Sequence, residues 1–515
     1  MSTIQSIDPR KVTAREILKD LTGEQLRDLA RKDETTSAYG SPVYETRVKS
    51  RSAKDTYVVQ NGVAIGEQQK GMDPGRAADL VRRLQESLAQ RDLIQVDRRM
   101  GMAPEATLHC RLFVPVEFAR IAFMWHNMLF PIESGGTPDF VSVYVPDWPE
   151  RVIFLDPTEG YTYICGTDYP GEAKKSMLRQ AMYWMKQRGG LGLHAGSKIL
   201  RVSGDKGDLR DVGFLLFGLS GTGKTTLTLH DHGLQSPERV VIKQDDVVLL
   251  APEGRTYGTE DGFYIKTEGL EPSQKVLWDA ATSSTACFEN VKLREDGTID
   301  FTDTSLTSNG RGVVLRRYIH GTDDGIDLAR ANKIIFITRR NDIVPIAARL
   351  SPEQAAAFFM LGESIETSAG DPTRAGQAKR EVGTNPFIVG PEAEEGNRIL
   401  AILRSNPEMQ AYILNTGSIG AKGDFAGEKI TIRASTDIMK QIAKEAISWA
   451  RDPDWGYEVP SRIPGVDLAR YDPRTRYTPA EYQDRIAKLR GEREEWLSKF
   501  PGLDPVISAS IRPSR

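Results

Sequence analysis

The stretch that most constrains this chain is FLLFGLSGTGKTTLTLHD, Phe214 to Asp231. Four apolar residues, as in a buried strand, run into a glycine-rich turn that closes on Gly-Lys-Thr-Thr and leads into a run able to begin a helix. Gly218 to Thr225 fits G-x-x-x-x-G-K-[ST] at every defined position. Gly218, Gly221 and Gly223 let successive backbone N–H groups turn inward on phosphate oxygens, with Leu219, Ser220 and Thr222 between them. Lys224 supplies a point charge and Thr225 a hydroxyl for Mg²⁺, while Thr226 continues into a helix whose N-terminus offers further N–H groups. Such a unit holds a nucleoside triphosphate.

About twenty residues later, VVIKQDDVVLL places Asp245 and Asp246 within or at the end of an apolar strand. Two adjacent carboxylates there are costly unless they meet a cation, and phosphate-loop proteins hold their metal with an acidic group near this place. A solvated turn between two short strands is the alternative. Upstream, GTDYPGEAKKSM (166–177) and GLGLHAGSKIL (190–200) carry Lys174, Lys175 and His194. Alone, a histidine after an apolar residue is more often a core or surface group than a ligand. A lysine pair opening a helix is usually a solvated face, and its charge there opposes the helix dipole.

At 515 residues the chain exceeds one simple core, so two domains are expected, an N-terminal lobe over 1–200 and a nucleotide- and metal-binding lobe over 201–515. Helical patterns cover 75–90, 171–190, 437–451 and 479–499; strand patterns cover 108–114, 141–145, 151–156, 161–167, GFLLFG, RVVIKQDDVVLL, NKIIFITRR and 428–434. This alternation predicts an α/β protein. A net charge of -3 gives no general attraction to nucleic acid or an anionic membrane. Cys110, Cys165 and Cys287 form no Cys-x-x-Cys pair and cannot pair off evenly, which points to a reducing, cytoplasmic compartment. The first residues lack an apolar signal core, and no apolar run approaches a membrane span.

In this order, the phosphate loop, PDF (138–140), GTDYPGEAKKSM, His194, the Asp-Asp pair, ENVKLREDGTIDF (289–301), SLTSNGR (305–311), YILNTG (412–417) and DPDWGYEVPSRIPGV (452–466) resemble the ATP-dependent phosphoenolpyruvate carboxykinase family. The resemblance implies a two-lobed fold with a P-loop domain, the cofactors ATP, Mn²⁺ and Mg²⁺, and a reversible gluconeogenic reaction. Oxaloacetate and ATP give phosphoenolpyruvate, CO₂ and ADP. It implies Lys175, His194 and Asp246 as Mn²⁺ ligands beside Asp245, and Thr225 as the ligand of the Mg²⁺ carried on ATP. Arg51, Tyr169 and Arg311 match substrate-binding positions, and Lys224, Lys175, Arg311 and Ser220 match catalytic ones. Lys266 and Glu289 match positions near the nucleotide, and Lys429 and Ser435 the region flanking adenine.

The chain departs from that pattern in four places. SRSAKD replaces Gly-Arg-Ser-Pro-Lys-Asp around Arg51, and HAGSK replaces His-Cys-Ser-Ala-Asn at His194. Val-Val-Leu-Leu follows the aspartates in place of Glu-His-Gly-Trp, and ESIETSAGDPTRAGQAKREVG (363–383) replaces the lid Phe-Thr-Ala-Lys-Leu-Ala-Gly-Thr-Glu. A lid shields an enolate from water, so its acidic replacement leaves open a kinase of the same fold acting on another small carboxylate or a protein. A nucleotide-binding regulatory protein is a further alternative. Retention of Arg51, Tyr169, Lys175 and Arg311 favours the carboxykinase, because a different acceptor would not need the same carboxylate grip.

Overall fold

The strand feeding the phosphate loop runs Leu209–Phe217 within an eight-stranded sheet. The computed structural model describes residues 8–50, 52–133, 135–204, 207–365 and 377–513. The sheet order is Arg239–Gln244, Ala195–Ser203, Leu209–Phe217, Lys333–Thr338, Gln410–Asn415, Ala347–Leu350, Glu458–Arg462, Ser448–Arg451. Phe214 to Phe217 pair in parallel with Lys333 to Phe336, and Lys333–Thr338 in parallel with Gln410–Asn415. A parallel core is covered on both faces, which is why these runs are almost unbroken in apolar residues. Helix Ile432–Ala443 covers one face, with Ala434, Ile438, Met439 and Ile442 recurring at helical spacing in one cluster with Phe214, Leu216, Ile335 and Leu414. The inward-facing Phe217 meets Phe359 of helix Pro352–Leu361 edge to face at 5.9 Å.

These elements belong to one of two compact units, comprising Met185–Gly258, Gly321–Pro386 and Pro391–Arg515. The other comprises Met1–Trp184, Thr259–His320 and Phe387–Gly390. The single boundary expected at residue 200 therefore differs from the observed division. Strands Gly262–Lys266, Arg311–Leu315 and Cys287–Glu289 lie side by side in a five-stranded sheet of the first unit, where Cys287–Glu289 pairs with Pro42–Tyr44, and this draws 259–320 away from the chain on either side.

The first unit's larger sheet has the order Glu16–Leu18, Asp92–Met100, Leu108–Pro115, Phe140–Val145, Tyr161–Cys165, Val152–Asp156, Thr56–Val59, Gly71–Met72. Helix Pro74–Leu88, capped by Asp73 with proline at its first position, buries Ala77, Leu80, Val81, Leu84 and Leu88 against Val141, Val143, Phe154 and Tyr163. The expected helix over 171–190 is Gly171–Gln187, followed by Gly189 at φ 83°.

Two expectations near the C-terminus fail for one reason. The alternating EKITIRA forms only the strand Glu428–Lys429, and Thr431 then caps helix Ile432–Ala443 by accepting from the Ala434 N–H. Burial of the 3.6-residue stripe outweighs the β propensity of Ile-Thr-Ile. That helix starts and stops earlier than 437–451, and Ser448–Arg451 becomes an edge strand paired with Glu458–Arg462. Among the described residues no helix is long and apolar enough to cross a membrane.

Candidate active site

The phosphate loop has the conformation its glycines predict. Gly221 and Gly223 stand at φ 83° and 97°, where a side chain is disfavoured. A Cβ on Gly218 would meet Thr222 Oγ1 at 2.4 Å, so this glycine allows a close approach. Thr222 Oγ1 donates to the Leu219 carbonyl at 2.8 Å, while Thr416 Oγ1 donates to the Thr222 carbonyl at 2.7 Å and Arg339 to the Gly221 carbonyl at 3.1 Å. The Thr222 N–H also donates to the Leu219 carbonyl at 3.1 Å, so the Leu219, Gly221 and Thr222 carbonyls are all bound within the protein. Ser220 is exposed at the loop tip; Lys224, Thr225 and Thr226 are half-buried at the start of helix Lys224–Leu229.

Asp245 and Asp246 lie in the turn between strands Arg239–Gln244 and Val248–Leu250. It is the turn between two short strands, but not a solvated one, since Asp245 is buried and Asp246 half-buried. Asp246 Oδ1 stands 3.0 Å from His194 Nε2 and 3.4 Å from Lys224 Nζ. His194 Nδ1 lies 2.5 Å from the Thr384 carbonyl, which can only accept, so the Nδ1 proton is fixed and Nε2 turns toward Asp246. An imidazole nitrogen and a carboxylate oxygen thus stand side by side. Such a pair of donor atoms suits a divalent cation, and the Thr384 carbonyl behind the ring holds the imidazole in that orientation. Among the described residues no three His, Cys, Asp or Glu side chains converge on a metal position.

Within the first unit, a second set is built on the five-stranded sheet. Lys266 is directly opposite Arg311, and Arg311 is directly opposite Glu289. Opposed residues share a face, so three separated segments form one row. Tyr264, two residues before Lys266, donates to Glu289 Oε1, and the Arg311 guanidinium lies over its ring at 5.7 Å. Glu289 is fully buried and its Oε2 has no hydrogen-bond partner; burial pushes its pKa up to about 8 despite the Tyr264 hydroxyl and the Arg311 charge. Burial opposes the charge of Arg311, yet Tyr169, Tyr264 and Glu289 together raise its pKa. Its Nη2 donates to Asn309 Oδ1 at 2.8 Å, while its Nε is buried without a partner.

Tyr169 is buried, with a hydroxyl that makes no hydrogen bond, and Lys175 Nζ lies over its ring at 5.0 Å. Lys175 Nζ also donates to Glu172 Oε1 at 2.9 Å, and Ser52 N–H donates to the same oxygen at 3.0 Å. Lys175 is therefore not a solvated helix-face lysine. Its neighbour Lys174 is buried against Glu260 at 3.2 Å. Unpartnered polar atoms on Tyr169, Glu289 and Arg311 are the groups a polar ligand would satisfy.

Arg51 lies outside the described residues, as do 366–376 of the segment replacing the lid. Glu363, the first acid of that segment, is buried and bound by Arg493 at 2.7 Å and Arg380 at 3.1 Å. Its charge is spent on the protein and does not face a ligand. Lys429 is exposed and Ser435 is buried in helix Ile432–Ala443. Sequence reasoning missed Tyr264, Glu172 and Thr416. The first stands at strand spacing from Lys266, the second lies inside GTDYPGEAKKSM, and the third lies inside YILNTG, so each carried a signal without a visible partner.

A family model for phosphoenolpyruvate carboxykinase matches residues 15–469. The phosphoenolpyruvate carboxykinase (ATP) of Aeropyrum pernix is 39% identical over 393 residues, spanning 76% of this chain and 78% of that protein. The enzymes of the same name from Rhizobium rhizogenes and Mesorhizobium japonicum are each 28% identical, over 492 and 506 residues. They span 90% and 92% of this chain, and 87% and 89% of their own lengths. The chain belongs to the ATP-dependent phosphoenolpyruvate carboxykinase family.

Proposed function

We propose that this protein is an ATP-dependent phosphoenolpyruvate carboxykinase, interconverting oxaloacetate and ATP with phosphoenolpyruvate, CO₂ and ADP. The observation that carries the reading is the meeting of His194 Nε2 and Lys224 Nζ on Asp246 Oδ1, which sets a cation-binding pair beside the phosphate-loop lysine. In this reading Lys175, His194, Asp245 and Asp246 would hold Mn²⁺, and Thr225 would hold the Mg²⁺ of ATP. Bound divalent cations supply charge stabilisation for the enolate and the phosphoryl oxygens.

The chain's own residues do the rest. Arg311, fixed by Asn309 and backed by the Tyr264 ring, presents a forked donor to a carboxylate, and the Tyr169 hydroxyl adds one more. Arg51 completes that grip by family position. Holding the substrate lets the C–C bond to the departing carboxylate break, with its electron pair passing to the carbonyl as an enolate. The enolate oxygen then attacks the γ-phosphorus as the bond to ADP breaks. Lys224, with Ser220 and the inward N–H groups from Gly218 to Thr226, follows the charge on the transferring group. Lys266 and Glu289 belong to the nucleotide side, and Lys429 and Ser435 to the adenine end. The three cysteines, free and buried, fit a reducing cytoplasm. A kinase acting on another acceptor is disfavoured by Glu363, whose acidity is internal and does not remake the site.

The reverse reaction tests this. Purified protein given phosphoenolpyruvate, ADP, bicarbonate, Mg²⁺ and Mn²⁺ should form ATP and oxaloacetate together, only when CO₂ is supplied. ATP formation independent of CO₂ would instead indicate a kinase of the same fold.

A further inference from the structure

The segment HAGSK, the departure at His194, has an internal logic. Strand Ala195–Ser203 begins one residue after His194 and packs against the phosphate-loop helix Lys224–Leu229. A Cβ on Gly196 would stand 2.3 Å from Thr228 Oγ1, so this glycine allows strand and helix to touch. The same Thr228 hydroxyl donates at 2.8 Å to the carbonyl of Lys224, the phosphate-binding lysine itself. The register of the strand against Arg239–Gln244 shifts between Ser197 and Lys198, a bulge of the kind that re-aims a side chain.

Lys198 is fully buried. Its Nζ contacts the Leu227 carbonyl and His232 Nε2, and it donates to the His230 carbonyl at 3.3 Å. His232 Nδ1 donates to the Thr436 carbonyl at 2.9 Å, which leaves its Nε2 as an acceptor. Two carbonyls and one imidazole lone pair are three acceptors, the complement of an ammonium with three N–H groups. Burial pushes the pKa of this amine well below its usual value, with the Asp231 charge opposing, so the contacts around Nζ and not its charge make the clamp. His232 takes the left-handed conformation, φ 58°, in making this arrangement.

We infer that Lys198 is a positioning residue for the nucleotide site, a buried clamp that holds the far end of the phosphate-loop helix to the strand headed by His194. It touches no substrate and acts through the placement of Lys224 and the loop N–H groups. The inference rests on the nucleotide-binding reading above.

ATP affinity, measured by calorimetry on the full chain, tests it. Lys198→Met keeps the length and volume but removes every N–H; ATP should bind about tenfold more weakly or worse, the scale expected when a binding group is misplaced. The KM for oxaloacetate should stay near that of the unmodified protein. Lys198→Gln, whose amide carries two N–H groups one bond short of the Nζ position, should recover part of the loss. Should Lys198→Met not fold, His232→Phe removes one acceptor, leaves the lysine in place, and should also weaken ATP selectively. Unchanged ATP affinity in a folded variant, even with a lower melting temperature, would overturn the inference. Absence of ATP binding by the unmodified protein would instead sink the nucleotide reading.

Discussion

Glu289→Gln offers a quantitative test of the buried row on the five-stranded sheet. The carboxyl is fully buried, one oxygen meets only the Tyr264 hydroxyl, and the other meets nothing. Burial pushes its pKa from 4.5 to about 8. The folded protein thus holds this proton more tightly than the unfolded chain does, so its contribution to stability is fully present below 4.5 and declines as pH rises, until both states are ionised above about 8. The decline is about 1.4 kcal/mol per pH unit within that window. Between about pH 5.5 and about pH 7.5 the unmodified protein should therefore lose roughly 3 kcal/mol relative to Glu289→Gln, whose amide fills the same space without ionising. Chemical unfolding of both proteins across this range, compared at each pH so that other titrations cancel, reads the difference. A difference that does not change with pH would show that Glu289 is ionised in the folded protein, and the account of this row would be wrong.

Two other substitutions probe the site and its support. Lys175→Arg keeps a positive charge but cannot become the neutral donor a metal requires, so Mn²⁺ titration should show affinity lost nearly as fully as in Lys175→Ala. Wild-type affinity in the arginine variant would remove Lys175 from the metal site. Glu363→Gln leaves Arg493 buried without its counter-charge and should destabilise the protein by about 3–5 kcal/mol at neutral pH, read by denaturant unfolding. Burial raises the Glu363 pKa, but the charges of Arg493, Arg340 and Arg380 outweigh it and hold it below the usual carboxylate range. Its contribution is present at neutral pH and fades on acidification below 4.5, so the gap between the two proteins should close in acid.

The phosphate loop was legible because its geometry is local. Glycines at fixed offsets, a preceding apolar strand and a following helix all lie within one short stretch, and each appears where expected. The strands of the first unit were legible for a similar reason, as period-two or unbroken apolar runs. What the sequence hid is long-range. Lys266, Glu289 and Arg311 become neighbours only through strand register, and His194 acquires its fixed tautomer from Thr384, 190 residues away. The acidic start of the lid replacement read as a change in the site, whereas Glu363 is neutralised by Arg493 from a helix far along the chain. The strand expected over 428–434 shows the reverse error, with a local β pattern overruled by an apolar stripe that only tertiary packing reveals.

The central claim is that ATP's γ-phosphoryl group is captured by the enolate formed on decarboxylation. The direct measurement is the product ratio from oxaloacetate with ATP, Mg²⁺ and Mn²⁺, resolved into phosphoenolpyruvate and pyruvate. The account predicts phosphoenolpyruvate as the main product, with one ADP and one CO₂ released for each molecule formed. Pyruvate without phosphoenolpyruvate, or ATP bound and neither product formed, would contradict it.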